Sequence, residues 1–182
     1  MQKSYNDMTW GFLVASPSLG DSIFEESVVL VLEDGPEGSF GLILNKPHPG
    51  TLGDLSPEFD NEYLSNVGVF CGGPVGGERL TLALWAEGNS SAGNFSFGLT
   101  PDRVEEILRA NPDAKVCAFV GCSMWAKNQL KSEIDEGSWI VSRADISSIF
   151  GLEPSEIWAH MLMREVPKYR ELPVPSVKNP MN

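Results

Sequence analysis

The distribution of apolar and polar residues predicts a chain in which strands come first and helices mostly follow. An apolar segment at 10–15 ends in a Ser-Pro-Ser sequence, which indicates a buried strand running into a loop. Two further apolar runs, 27–33 and 40–45, are separated by the Gly- and Pro-rich segment 34–38. Because these residue types supply the dihedral angles of tight turns, the two runs predict a β-hairpin.

More strands are predicted after the hairpin. The segments 67–71, 79–85 and 95–99 read as strands, and the loop 88–93 between the last two is typical of antiparallel neighbours. A short segment at 51–55 predicts a single helical turn.

The second half of the chain adds helical periodicity. Thr100 is predicted to cap a helix that starts at Pro101 and ends at Asn111-Pro112. A final helix is predicted to start at Pro154, and the segment 145–150 reads as a turn or short helix.

A strand at 115–121 is predicted to lead directly into another helix. Ser123 is in position to cap a helix over 124–136, in which apolar residues repeat every fourth position, and Gly137 ends it. A short strand follows at 139–141.

This order of elements predicts one α+β domain over residues 8–166 with a mixed or largely antiparallel sheet. The segment 167–182 contains four prolines, so we predict that it forms no helix and is a surface or disordered tail. A length of 182 residues suits a single domain with a real core.

The composition of the chain indicates its cellular compartment and argues against a membrane partner. No apolar run approaches the roughly 20 residues that cross a bilayer, and no secretory signal is recognised at the start. Cys71, Cys117 and Cys122 are an odd number of cysteines without metal spacing, which indicates free thiols. We therefore predict a cytoplasmic protein without a membrane partner.

The charge argues against direct nucleic-acid binding. The net charge is −12, and residues 1–60 contain ten acids and two bases. Such a surface repels phosphate backbones. A DNA-binding regulator would need a basic face assembled from Arg103, Arg109, Lys115, Lys127 and Lys131.

Six segments, in order, resemble the YqgE/AlgH proteins of bacteria, from about Gly11 to about Leu162. They are GFLVASP at 11–17 with FEESVV at 24–29, GLILNKP at 41–47, FCGGPV at 70–75, GCSMW at 121–125 leading to Gln129-Leu130 and Glu133, and GSW at 137–139. The resemblance implies a split β-sheet curled into a pseudo-barrel with helices packed outside. It also implies a role as a transcriptional regulator, the usual label of the family.

The chain departs from the family pattern at two positions. Trp85 stands where a His is expected, so this chain lacks that side chain as a general base, and Met124 stands where many members have Gly before the Trp.

The best candidate for chemistry is the predicted strand-to-helix corner at 120–123. Backbone NH groups and the helix dipole at such a corner bind an anion or lower the pKa of a thiol, which makes Cys122 a candidate nucleophile. The alternative is that Gly121 makes the turn, Ser123 caps the helix and Cys122 packs. A Ser nucleophile at Ser123 is not supported, because Trp125 replaces the second Gly of the Gly-x-Ser-x-Gly motif.

The remaining candidates each have a ligand-binding and a structural interpretation. The bare backbone of Gly72-Gly73-Pro74 either approaches a ligand or makes a tight turn, and Asn45 either orients a ligand or bonds nearby backbone. Gln129 and Glu133 project from the same side of a helix, where Glu133 is either an acid or base or a contact that holds a loop. No metal or cofactor is predicted, because His48 and His160 lack a cluster of ligands.

Three hypotheses follow from these residues. The first is a non-catalytic regulatory protein that binds a protein partner or small ligand, with its loops close together. The candidate binding residues are Asn45, Gly72, Gly73, Pro74, Gly121, Trp125 and Gln129. The second is a thiol-based enzyme or redox sensor with a depressed pKa at Cys122, and the third is direct DNA binding.

Overall fold

The computed structural model describes residues 9–20, 22–86, 94–149 and 151–171. Within these residues the strands are β1 Phe12–Ala15, β2 Val28–Gly35, β3 Gly38–Ile43, β4 Pro47–Thr51, β5 Gly68–Cys71, β6 Val75–Ala86, β7 Asn94–Leu99, β8 Lys115–Ala126 and β9 Trp139–Ser142. The α-helices are α1 Leu52–Leu55, α2 Pro101–Ala110, α3 Gln129–Asp135 and α4 Pro154–Glu165. Short 3₁₀ helices span Pro57–Phe59, Ile146–Ser148 and Pro167–Glu171.

The structure confirms the elements that were predicted from turn residues and helix caps. The hairpin of β2 and β3 turns at its Gly-rich tip, and β6 pairs antiparallel with β7. Helix α2 starts at Pro101 with the Thr100 hydroxyl accepting the backbone NH of Arg103 at 3.4 Å, and it ends at Asn111. Helix α4 starts at Pro154 as predicted.

The sheet is split around β8. The first half of β8 pairs in parallel with β5 and antiparallel with β6, whereas its last four residues pair antiparallel with β3. The order on one side is β4-β5-β8-β3-β2-β1-β9, with β6 and β7 branching from β8 on the other. This curled, largely antiparallel half-barrel confirms the α+β fold class.

Three apolar clusters occupy the two faces of this sheet. The inner face carries residues of β1, β2, β3, β6 and β8 together with α4, through Ile157 and Met161. On the outer face, Leu130 of α3 packs on the half around β1 and β2, and Val104 of α2 packs on the half around β5 and β6. The helices thus cover both faces of a sheet whose inner face is one continuous apolar surface.

Two proline-containing segments form short elements, and for the second of them the prediction is wrong. Residues 47–51 form the edge strand β4, where a missing backbone NH of proline costs no ladder bond. Residues 167–171, predicted to be free of helix, form a 3₁₀ helix, because proline is tolerated in a first turn. The predicted loop 88–93 and the tail beyond Glu171 lie outside the described residues.

None of the helices in the part of the chain that the structure describes combines the length and the apolar composition needed to cross a membrane.

Candidate functional site

The point where the sheet divides brings together three of the predicted loop segments. The backbone NH of Gly72 donates to the carbonyl of Val120 at 2.9 Å. The carbonyl of Gly72 accepts the NH of Ile43 at 2.9 Å and the hydroxyl of Ser123 at 3.1 Å. Gly72 therefore joins β5 to β8 and to the end of β3.

The glycines at this division are required by close backbone contact. A Cβ on Gly72 would lie 2.3 Å from the carbonyl oxygen of Gly121, and one on Gly73 would lie 2.4 Å from the carbonyl of Cys122. Gly121 has φ +69, and its Cβ would lie 2.5 Å from the oxygen of Gly73. Because backbone fills the space, these glycines leave no room for a ligand between them, and only Pro74 next to them is exposed.

Asn45 is buried and both ends of its side chain are bonded to backbone. Its Oδ1 accepts the NH of Val28 at 2.8 Å, and its Nδ2 donates to the carbonyl of Glu26 at 2.8 Å. Asn45 thus secures the start of β2, which is the structural alternative predicted for it.

The prediction of a strand-to-helix corner at 120–123 is wrong. β8 continues to Ala126, so Ser123 lies within a strand and does not cap a helix. Helix α3 begins only at Gln129, after Asn128 in the left-handed conformation with φ 64. The reason is long-range pairing, because residues 123–126 form a ladder with β3. Cys122 therefore lies at no helix N-terminus.

The surroundings of Cys122 raise its pKa. Partial burial of the thiol is the main cause, and the positive charge of Arg79 opposes it. The thiol Sγ lies 3.6 Å from the carbonyl oxygen of Val75, to which it donates. A raised pKa reduces the thiolate fraction at neutral pH, which is the opposite of the activation predicted for a reactive thiol.

Glu133 and Gln129 take part in an aromatic cluster. Glu133 Oε2 accepts the indole NH of Trp125 at 2.9 Å and that of Trp139 at 2.8 Å. Its Oε1 accepts from Gln129 Nε2 at 2.9 Å, and Gln129 Oε1 accepts the NH of Ala126 at 2.9 Å. The two indole rings meet edge to face at 6.0 Å. The carboxylate therefore joins α3 to β8 and β9, which is a positioning role.

A cavity of about 460 Å³ lies on the inner face between β8 and the first turn of α4. Its walls are mostly apolar, with the charged side chains of Lys115 and Glu153 among them. The other lining residues are Leu44, Phe70, Phe95, Val116, Cys117, Phe119, Ile149, Leu152, Pro154 and Ile157. Burial raises the pKa of Cys117 to about 11, so this thiol is neutral and serves as a small apolar wall.

The sequence pattern did not predict this cavity. Its residues come from β5, β7, β8 and the segment around α4, and individually they look like core residues of strands and helices. A signal was present only in the mixture of lysine and glutamate with apolar residues at 115–119 and 149–157, and that mixture is common at element ends.

The described residues form neither a cluster of unpaired basic side chains from the predicted set nor a cluster of metal-binding side chains. Three of the five cations that would form a basic face for DNA are in ion pairs. Arg109 pairs with Glu105 at 3.1 Å, Lys131 pairs with Asp135 at 2.7 Å, and Arg103 pairs with Glu106. Among the residues that the structure describes, no group of three His, Cys, Asp or Glu side chains is placed to hold a metal ion.

Comparison with known proteins identifies relatives along nearly the whole chain. Residues 12–170 match the family model described as AlgH-like, DUF179. A UPF0301 protein of Thermobifida fusca is 31% identical, with 87% of each chain covered. A UPF0301 protein of Myxococcus xanthus is 34% identical over 81% of this chain and 85% of its own.

Solved structures agree in fold. The solution structure of AlgH from Pseudomonas aeruginosa has a TM-score of 0.68 and 25% identity, covering 90% of this chain and 92% of its own. A crystal structure from Corynebacterium diphtheriae has the same TM-score at 21% identity, which shows the fold alone; it covers 94% of this chain and 95% of its own. With a family model that matches residues 12–170, this chain belongs to the AlgH-like family.

Proposed function

We propose that this protein is a non-catalytic regulatory protein that acts by binding a compact apolar ligand in the cavity between β8 and α4. The observation that carries the proposal is the cavity itself. Its volume of about 460 Å³ lies within the range of roughly 300–1,000 Å³ that is usual for small-molecule sites.

The lining supports a ligand with one polar end. Phe70, Phe119 and Ile157 offer apolar contact, whereas Lys115 and Glu153 place opposite charges among the lining residues. Sites of this kind obtain affinity from apolar burial and orientation from a few polar groups.

The candidate catalytic groups support binding over turnover. Ser123 and Glu133 have their oxygens in hydrogen bonds that hold strands and helices together. Cys122, the centre of the alternative thiol-based function, has a raised pKa and lacks the helix N-terminus on which that function depends.

A reducing compartment is part of the proposal. Cys71, Cys117 and Cys122 are free thiols. Free thiols persist in the cytoplasm, which is the compartment we propose.

The experiment measures binding of anilinonaphthalene sulfonate, an apolar fluorescent probe with an anionic end, to the full chain. The variant Cys117→Leu enlarges a side chain of β8 that lines the cavity, so that it takes up part of the space for the ligand; it is expected to weaken binding about tenfold, or about 1.4 kcal/mol. The matched control is Cys122→Leu, on the same strand but not lining the cavity. Saturable binding that only Cys117→Leu weakens supports the proposal. Equal binding by both variants, or none by the native chain, overturns it.

A further inference from the structure

A carboxylate, an aromatic ring and a thioether form one row across three strands. In the pairing of β2 with β3, Glu33 lies opposite Phe40, and in the pairing of β3 with β8, Phe40 lies opposite Met124. Residues that are directly opposite in a ladder project to the same face as neighbours. Glu33 is exposed and Met124 has 56% of its surface exposed, so both ends of the row are open.

Two aromatic rings extend the row. The ring of Phe97 lies 6.2 Å from that of Phe40, and the ring of Trp10 lies 6.4 Å from that of Phe97. Trp10 is 49% exposed and Phe97 is 39% exposed. Trp10, Phe40, Phe97 and Met124 are here termed the aromatic face. A contiguous exposed apolar group of this kind marks an interaction surface more often than isolated apolar residues do.

The charge next to the aromatic face is asymmetric. Glu33 is part of the row, and Glu37 is exposed at the tip of the same hairpin. On the other side lies Arg79, whose positive charge interacts with the thiol of Cys122, two residues before Met124 in β8. The hairpin end is therefore acidic, in a region of the chain where residues 1–60 contain ten acids and two bases.

We propose that the aromatic face and Glu33 form a docking surface for a basic, apolar segment of a protein partner. A lysine or arginine of the partner lays its aliphatic stem on Phe40 and Met124 and brings its charged head to Glu33. Aromatic rings attract such cations, and methionine adapts its shape to an apolar neighbour. Acidic segments and nucleic acids are repelled by the same carboxylates.

The docking surface is separate from the ligand cavity. None of its members lines the cavity, although the two adjoin where Trp10 meets the cavity residue Phe95 at 5.9 Å. The cavity-filling Cys117→Leu variant is accordingly expected to leave partner docking unchanged, so failure of either proposal is distinguishable from failure of the other.

The test uses a short fluorescent peptide in which leucine alternates with lysine, titrated into the full chain. Met124→Gln is expected to weaken binding about fivefold to tenfold, because it replaces the most exposed apolar contact of the surface with a polar side chain. Glu33→Gln is expected to weaken it about twofold to fivefold and to reduce its dependence on salt.

Matched controls keep charge and apolarity apart. Leu55→Gln changes another exposed apolar residue, on α1, and Glu58→Gln changes an exposed acid of the neighbouring 3₁₀ helix. Both variants are expected to bind like the native chain, and a peptide with glutamate in place of lysine is expected not to bind. The proposal is overturned if the glutamate peptide binds equally well or if Met124→Gln has no effect. It is also overturned if sedimentation shows a dimer that Met124→Gln dissociates, since the face would then join two copies of this chain.

Discussion

Glu133 holds the indole nitrogens of two tryptophans through one carboxylate oxygen. Both rings are almost fully buried, so replacing this acceptor leaves buried donors without a strong partner. We predict that Glu133→Gln lowers the free energy of unfolding by about 1–3 kcal/mol, because the amide loses the charge and presents a donor to other donors. Urea unfolding followed by circular dichroism measures the change. Glu136→Gln, at an exposed site on the same turn, is the control and is expected to stay within about 0.5 kcal/mol; an equal loss in both would contradict this role.

The thiols give a second prediction at the residue scale. Burial raises the pKa of Cys117 to about 11, and partial burial raises that of Cys122, so both are protonated at neutral pH. We expect alkylation of each to be slow at pH 7 and to accelerate only as the pH rises past the ordinary thiol value of about 8.5, with Cys117 titrating last. Mass spectrometry of the native protein reads the rates.

Arg79 supplies the control for that measurement. Its charge lowers the pKa of Cys122, so Arg79→Gln is expected to slow alkylation of Cys122 further while Cys117 is unchanged. An apparent pKa at Cys122 well below about 8.5 would revive the thiol-based function.

Local signals determine the hairpin and α2, whereas β8 is determined by distant partners. The turn at 34–38 and the cap at Thr100 are encoded in neighbouring residues, and both were predictable. The segment 123–126 contains a serine suited to capping and the first residue of an apolar repeat that continues to 134. It nevertheless pairs with β3, more than eighty residues earlier, because tertiary pairing overrides the local preference. The cavity escaped prediction for the same reason, because β5, β8 and α4 meet only in the folded chain.

The division of the sheet depends on a glycine conformation. Gly121 has φ +69, and its Cβ would lie 2.5 Å from the oxygen of Gly73. We predict that Gly121→Ala costs about 2–4 kcal/mol, combining the left-handed backbone with a contact that backbone is unable to relieve. Gly77→Ala is the control, because a Cβ there meets no atom within 4 Å. The loss of stability is measured from the denaturant midpoints of unfolding of the two variants. Equal midpoints would show that the division of the sheet tolerates a side chain at position 121.

At the scale of the whole molecule, the net charge argues against DNA as a partner. The net charge is −12, and three of the five cations needed for a basic face are bonded to carboxylates one turn away on their own helices. DNA binding needs cations that displace counterions from phosphate, and a paired cation does so poorly. We predict no saturable binding of labelled duplex DNA at an ionic strength of about 0.15 M, measured by fluorescence anisotropy. Replacing Glu105 and Glu106 together by glutamine removes the carboxylate partners of Arg103 and Arg109 and is expected to give only weak binding that salt removes. Tight binding by the native chain, falling steeply with salt, would instead establish a basic face that the arrangement of these ion pairs argues against.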